Sequence, residues 1–225
     1  MDKEKIVEHF TDIYRKNKWH GVESKSGTGS GVSATATLAP HLILLVNELE
    51  IERFVDIPCG DFFWMKDVVD KMEIEEYIGY DIVEEMIEKV KLEYEDPEAI
   101  PSRTFGLLNA VYDTVPKADM IFCRDCLVHF SFKTATEILK KFIESGSTYI
   151  LMTTFLNEYR PPTDIPDGAW RSINFQQPPF NFPEPERIIV EGCIEDNYKW
   201  TDKSLGLWRL ETLKGYLDVA SDENS

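Results

Sequence analysis

The sequence predicts an α/β domain, a mostly parallel sheet doubly wound with helices on both faces, and two observations carry that reading. From residue 51 onward, short apolar runs alternate with amphipathic segments, the pattern of strands joined by crossover helices. The first run ends in "VDIPCGDFFWM", a turn bearing proline and glycine at the place where open α/β sheets bind ligands. Length sets the scale: 225 residues with 43% hydrophobic composition fill one compact core and fall short of two full-sized ones.

The elements follow in order. Ile6, Phe10, Ile13 and Tyr14 recur at helical spacing, which makes residues 3–17 an amphipathic helix. The stretch "GVESKSGTGSGVSATATL" is too rich in Gly and Ser for a regular element and predicts a long loop over 21–37. A helix follows, with Pro40 in its first turn and Leu42, Leu45 and Val46 on its buried face. Strands are expected at 51–57, 77–81, 102–107, 119–123 and 148–154, and helices at 62–71, 83–94 and 132–144, the last capped by Ser131. "RPPTDIPDGAWRSINFQQPPFNFPEPE" reads as a folded insertion because Trp170, Phe175, Phe180 and Phe182 need burial. Strands near 186–192 and 204–211 complete the sheet. The single domain over 1–225 thus divides into an N-terminal helix and Gly/Ser-rich lid (1–37), a cofactor-binding half (38–155), a substrate insertion (156–185), the final strands (186–215) and an acidic tail (216–225).

Composition narrows the function classes. A net charge of −17, with lysines scattered through acidic helices, repels phosphate backbones, so nucleic acid is not the expected substrate. "MDKEKIVEHF" has no apolar leader region and no stretch approaches the roughly 18 to 20 apolar residues of a membrane span, which predicts a soluble, cytoplasmic protein without a membrane partner. Four cysteines are too few for a disulfide framework and are expected as reduced thiols. Cys123 and Cys126 form a CxxC with no second one to match, so neither zinc nor redox chemistry is expected there.

The first loop discriminates between cofactors. A dinucleotide requires G-x-G-x-x-G, of which only Gly60 is present; Pro58 removes a donor and Asp61 puts negative charge where a pyrophosphate would lie. The same loop suits a cofactor with a cationic end, because Gly60 permits close backbone approach while Asp56 and Asp61 face an ammonium or sulfonium. In "EYIGYDIV", Asp81 ends the second strand 25 residues after Asp56, with Ile82 beside it, and an acid there takes both hydroxyls of a ribose. Asn109 in "FGLLNAVYD" offers an amide to an adenine edge. Arg124, Asp125 and His129 in "ADMIFCRDCLVHF" crowd past the fourth strand and border the reactive end of the cofactor.

The order of "VDIPCGD", "YIGYD", "GLLNA" and "ADMIFCRDCLVHFS", each at the end of a successive strand, resembles the class I S-adenosylmethionine-dependent methyltransferases over roughly residues 50–215. The resemblance implies S-adenosylmethionine as cofactor and a Rossmann-like seven-stranded sheet whose last strand is antiparallel, a part that "SLGLWRLETL" would supply. The sequence departs from the common D/E-x-G-x-G-x-G at Pro58 and Phe62, and has Asn109 where Asp is frequent. "WHGVESKSGTGSG", "DIPCGDFFWM", "CRDCLVHFS", "PPFNFPEP" and "DKSLGLWRL" further resemble small methyltransferases of glycan synthesis in bacteria and giant algal viruses, which implies a sugar hydroxyl as acceptor.

Methyl transfer from a sulfonium is an in-line displacement that gains most from alignment and dryness, and a hydroxyl acceptor must also lose its proton. Asp125 and His129, four apart, are the candidate general bases, with a cap or a salt bridge as the structural alternative for Asp125 and a core position as that for His129. Arg124 either orients Asp125, lines the cofactor pocket through its backbone, or forms a surface ion pair. "SGTGSGV" lacks the Gly-Lys-Ser/Thr ending of a phosphate loop, but as a lid its amides and the hydroxyls of Ser26, Thr28 and Ser30 suit the cofactor's carboxylate, with Trp19 packing alongside. Trp170, Arg171, Asn174 and Gln176 supply an aromatic platform and polar groups for a saccharide. A magnesium ion on Asp125 with Asn157 or Glu158 is conceivable, but the spacing does not demand one. The expected function is an S-adenosylmethionine-dependent O-methyltransferase. Transfer to a protein side chain or small metabolite, and a non-catalytic binding module, stand as alternatives, with a dinucleotide enzyme behind them.

Overall fold

The computed structural model describes residues 2–157 and 159–222. Helix α1 (Lys3–Lys16) is capped by Asp2, whose side chain accepts from the Lys5 amide. After it come a short turn α2 (Val32–Thr35) and helix α3 (Leu38–Glu48), with Pro40 in the first turn where its missing N–H costs no bond. The sheet is built from β1 (Arg53–Asp56), β2 (Glu76–Asp81), β3 (Ser102–Leu107), β4 (Met120–Cys123), β5 (Tyr149–Phe155), β6 (Arg187–Val190) and β7 (Lys203–Arg209). Helices α4 (Glu84–Tyr94) and α5 (Phe132–Glu144) are crossovers, α6 (Glu195–Tyr198) is a single turn, and α7 (Leu210–Asp222) ends the described chain.

The seven strands lie in the order β3-β2-β1-β4-β5-β7-β6, with β7 antiparallel to both its neighbours. All four residues of β4 are buried and β5 is buried after its first residue, as strands covered on both faces must be. On one face, Ile138, Leu139 and Phe142 of α5 pack with Leu213 and Leu217 of α7; on the other, Leu42 and Val46 of α3 and Ile87 and Val90 of α4 belong to a second apolar cluster. The chain winds outward from β1 through β2 to β3, then returns to place β4 on the other flank. The order reverses between β1 and β4, so their carboxyl ends open a crevice there. Asp56 stands opposite Gly79 on one side and Phe122 on the other, which sets the ends of β1, β2 and β4 around it.

Four expectations need correction. The segment 62–71 is two 3₁₀ turns, Met65–Asp67 and Val69–Lys71, and not a helix. Gly60 and Phe62 both have positive φ, which breaks helical propagation, and the Phe62 ring is held between Tyr77, Tyr94 and Phe105 at 5.0 to 5.3 Å. The Gly/Ser stretch is not wholly irregular, since Thr28–Ser30 and Val32–Thr35 are helical turns. In the insertion, Phe175, Phe180 and Phe182 are buried and pack toward Trp208, but Trp170 is 44% exposed. The final strand ends at Arg209 and helix α7 takes up residues expected as strand and acidic tail, while 223–225 lie outside the described residues. Among the described residues, no helix is long and apolar enough to cross a membrane.

Candidate active site

The crevice at the carboxyl edge holds a cavity of about 140 Å³. Asp56, Gly60, Asp81, Ile82, Asn109, Arg124, Asp125 and His129 line it from the strand ends, and Trp19, Ser26 and Ser30 line it from the N-terminal segment. Asp81 is buried at the tip of β2. One oxygen accepts from the Gly60 amide at 3.2 Å and the other from the Val83 amide at 3.0 Å, so each retains a lone pair for a ligand hydroxyl. Burial pushes its carboxyl up to about 6, against the pull of those backbone donors. Asn109 is also buried. Its Oδ1 accepts from the Val111 amide at 3.1 Å, and its Nδ2 has no hydrogen-bond partner among the described residues. A buried orphan donor at a cavity wall calls for an acceptor from a ligand.

Asp56 carries the second orphan. Its Oδ2 accepts from the Tyr77 hydroxyl at 2.6 Å, while Oδ1 is unpaired among the described residues. Burial raises its carboxyl to about 8, with Tyr77 opposing the shift. The folded state therefore holds a proton that an unfolded chain releases near pH 4, and stability contributed by this site falls as pH rises toward 8, by up to about 1.4 kcal/mol per pH unit. Asp56→Asn removes that loss. Its melting temperature should exceed that of the unsubstituted protein by a margin that widens by roughly several degrees between pH 5 and pH 8; thermal melts across that range measure it, and a margin independent of pH would contradict the assignment.

Asp61, expected to face the cofactor, turns away from the cavity. Its carboxylate accepts from Ser24 Oγ at 2.8 Å, the Lys25 amide at 2.8 Å and Ser26 Oγ at 3.2 Å, and so ties down the 21–37 segment. The close approach that Gly60 permits is to this segment as well: a Cβ on Gly60 would lie 2.3 Å from Ser26 Oγ. On its far side the lid is held by Arg124, which donates to the Gly29 carbonyl at 2.9 Å, and by Thr28, whose hydroxyl donates to Glu195. Thr28 thus stands outside the first cavity.

Arg124 is no surface residue. With Glu191, Lys203 and Asp125 it forms a charge network in which Arg124 meets Glu191 at 2.6 Å and Lys203 meets Asp125 at 2.6 Å and Glu191 at 3.5 Å. Arg124, Glu191 and Lys203 are buried and Asp125 is half-buried. Burial raises Asp125, but Lys203 and Arg124 together outweigh it and hold the carboxyl below the usual range. Glu191 and Lys203 were not singled out in the sequence, where charged residues in so acidic a chain read as surface. Asp125 has φ +53, a left-handed conformation, with its amide donating to Thr153 Oγ1 at 2.8 Å. His129 is set differently: burial lowers it, with partial opposition from the Ala169 carbonyl and Asp125. Its Nδ1 lies 3.0 Å from the Ala169 carbonyl, which has no proton to give, so Nδ1 carries the hydrogen and Nε2 is left as the acceptor. The ring stacks on Trp19 with centroids 5.0 Å apart.

A second cavity of about 230 Å³ adjoins the first and shares Trp19, Ser26, Asp125 and His129 with it. Gly27, Thr28, Gly29, Phe155, Trp170, Glu195, Asp196, Trp200 and Lys203 complete its wall. Of the four insertion residues expected to form one saccharide face, only Trp170 is here, at 4.7 Å from Trp200 in edge-to-face contact. Arg171 is buried, donates to the Phe130 carbonyl and lies over Phe132. It lines a separate small cleft with Asn174 and Asn157, and Gln176 lines neither cavity; its amide donates to Asn174 Oδ1 at 2.9 Å. Asn157 is therefore not beside Asp125, and Glu158 lies outside the described residues. All four cysteines are free thiols.

No protein-family model matches the sequence, and no curated protein matches it either. Solved structures do match in fold. Magnesium protoporphyrin IX methyltransferase (ChlM) from Synechocystis PCC 6803, with bound SAH, has TM-score 0.52 at 18% identity over 70% of this chain and 73% of that one. The methyltransferase domain of bacterial CtHen1 gives 0.55 at 11% identity over 77% of this chain and 97% of that domain. Human N-acetylserotonin methyltransferase in complex with SAM gives 0.59 at 14% identity over 89% of this chain, which spans only 58% of the human one. The seven-stranded sheet with its antiparallel β7 is thus a Rossmann-like methyltransferase fold.

Proposed function

We propose that this chain is an S-adenosylmethionine-dependent O-methyltransferase whose acceptor is a hydroxyl of a sugar ring. The observation that carries the reading is the meeting of two cavities at His129 and Asp125, the first walled by acid and amide groups with open valences and the second by three indoles. Solved proteins of this fold that hold SAM or SAH support the choice of cofactor.

The residues fit the group. Asp81 takes the ribose hydroxyls on its two free lone pairs, the orphan Nδ2 of Asn109 donates to the adenine edge, and Asp56, whose raised carboxyl is protonated at neutral pH, presents its open oxygen to the cofactor as a neutral polar group. When bound, S-adenosylmethionine supplies a methyl group on a sulfonium, open to in-line displacement. His129 accepts the proton of the acceptor hydroxyl on Nε2. Asp125, held ionised by Lys203, is a poor proton acceptor at neutral pH and acts as a fixed anion that favours the imidazolium so formed. Trp19 and Phe10 pack around the imidazole and exclude water from it.

Calorimetric titration with S-adenosylhomocysteine, followed by a screen of saccharides with labelled methyl donor, tests the proposal. Micromolar binding and label transfer to a hydroxyl are expected. Absence of binding would sink the cofactor assignment; binding without transfer to any hydroxyl acceptor would sink the enzyme reading and leave a binding module.

A further inference from the structure

We infer that the second cavity selects its acceptor by charge, admitting a ring that is neutral or bears an amine and rejecting one that bears a carboxylate or phosphate. The inference rests on the proposed function and deepens it. Asp125, Glu195 and Asp196 place three carboxylates on the cavity wall, against one lysine. That lysine has no charge to spare, because Lys203 Nζ is already 2.6 Å from Asp125 and 3.5 Å from Glu191. Arg124 behind it is spent on Glu191 and the Gly29 carbonyl. Lys199 and Arg160 lie over the Trp200 ring, but neither lines the cavity, and Arg160 is paired with Asp202 at 3.1 Å.

An anionic ring entering here gives up hydration and meets like charge with no counter-ion to receive it. A neutral ring loses nothing of the kind. Its hydroxyls donate to the carboxylates, and its C–H faces pack on Trp170, Trp200 and Trp19. Glu195 and Asp196 remain able to accept. Asp196 Oδ2 takes the Trp200 indole N–H at 2.8 Å, and Glu195 takes the Thr28 hydroxyl on Oε1 and the Cys193 thiol at 3.6 Å on Oε2, so each carboxylate keeps lone pairs to spare. An amine on the ring adds charge pairing with these acids and attraction to the indole faces.

Matched methyl glycosides of glucose, glucosamine and glucuronic acid, titrated into the protein loaded with S-adenosylhomocysteine, test the inference. The neutral and amino rings should bind at least tenfold more tightly than the uronate, ~1.4 kcal/mol. In the double variant Glu195→Gln, Asp196→Asn that gap should close, and retained S-adenosylhomocysteine binding reports that the variant is folded. Equal or tighter binding of the uronate by the unsubstituted protein, an unchanged gap in the folded variant, or no binding of any of the three rings would overturn charge selection. Failure of S-adenosylhomocysteine itself to bind would instead strike the cofactor reading.

Discussion

Replacing His129 with glutamine should lower the methyl-transfer rate by roughly 10²- to 10⁴-fold, the usual contribution of a positioned general base, while S-adenosylhomocysteine affinity changes only a few-fold. Glutamine keeps polar bulk against Trp19 but supplies no basic nitrogen. The pH profile separates this role from a packing role. Burial lowers the imidazole, so its basic form persists below the ordinary histidine midpoint of 6.5. The rate should be level through neutral pH and fall only as pH drops below 6.5, where protonation removes the acceptor lone pair. His129→Gln should lose that acidic limb along with the rate. A variant that is slow but retains the limb in place would make His129 a packing residue, whereas a limb moved to lower pH would point to Asp125 as the base. Held low by Lys203 and Arg124, Asp125 would give a limb at distinctly more acidic pH.

Asp81→Ala should weaken S-adenosylhomocysteine binding by roughly 10²- to 10⁴-fold, the loss of two hydrogen bonds to a charged acceptor at about 1.5 to 3 kcal/mol each. The carboxyl is raised to about 6, so it is ionised at pH 7 and takes up a proton as pH falls through 6. Affinity of the unsubstituted protein should decline over the same interval, and calorimetry at pH 5 and pH 7.5 measures both effects. The alanine variant should show little of that pH dependence. A loss of tenfold or less would mean that the ribose lies elsewhere in the cavity.

What could be read from the sequence was what neighbouring residues decide. Strand β3 at 102–107 and helix α5 at 132–144 match their expected limits, because each has a local apolar period and, for α5, a local cap in Ser131, whose side chain accepts from the Thr134 amide. Asp81 and Asn109 sit at strand ends, so the alternation of strands and helices was enough to bring them to one edge. The failures at the site share one cause, pairing across long stretches of chain. Asp61 is claimed by Ser24 and Ser26, which no local pattern links to it. Glu191 and Lys203 acquire meaning only when the sheet carries them to Arg124 and Asp125, and the proton on His129 Nδ1 is fixed by a carbonyl 40 residues away. Arg171 had the right chemistry for a sugar and the wrong address, since the Phe130 carbonyl and the Phe132 ring draw it under the insertion.

The position of β7 has a consequence for how the chain comes into being. It pairs with β5 along seven residues and separates β5 from β6, yet among the described strands it is the last to leave the ribosome. At about 5 to 20 residues per second, synthesis from Phe155 to Arg209 takes roughly 3 to 10 s. Through that interval the outer rim of β5, apolar and bonded on one side only, is a template for any other extended chain nearby. Newborn copies are therefore most prone to stick to one another before β7 has emerged, and truncation ahead of residue 203 would make that passing hazard permanent.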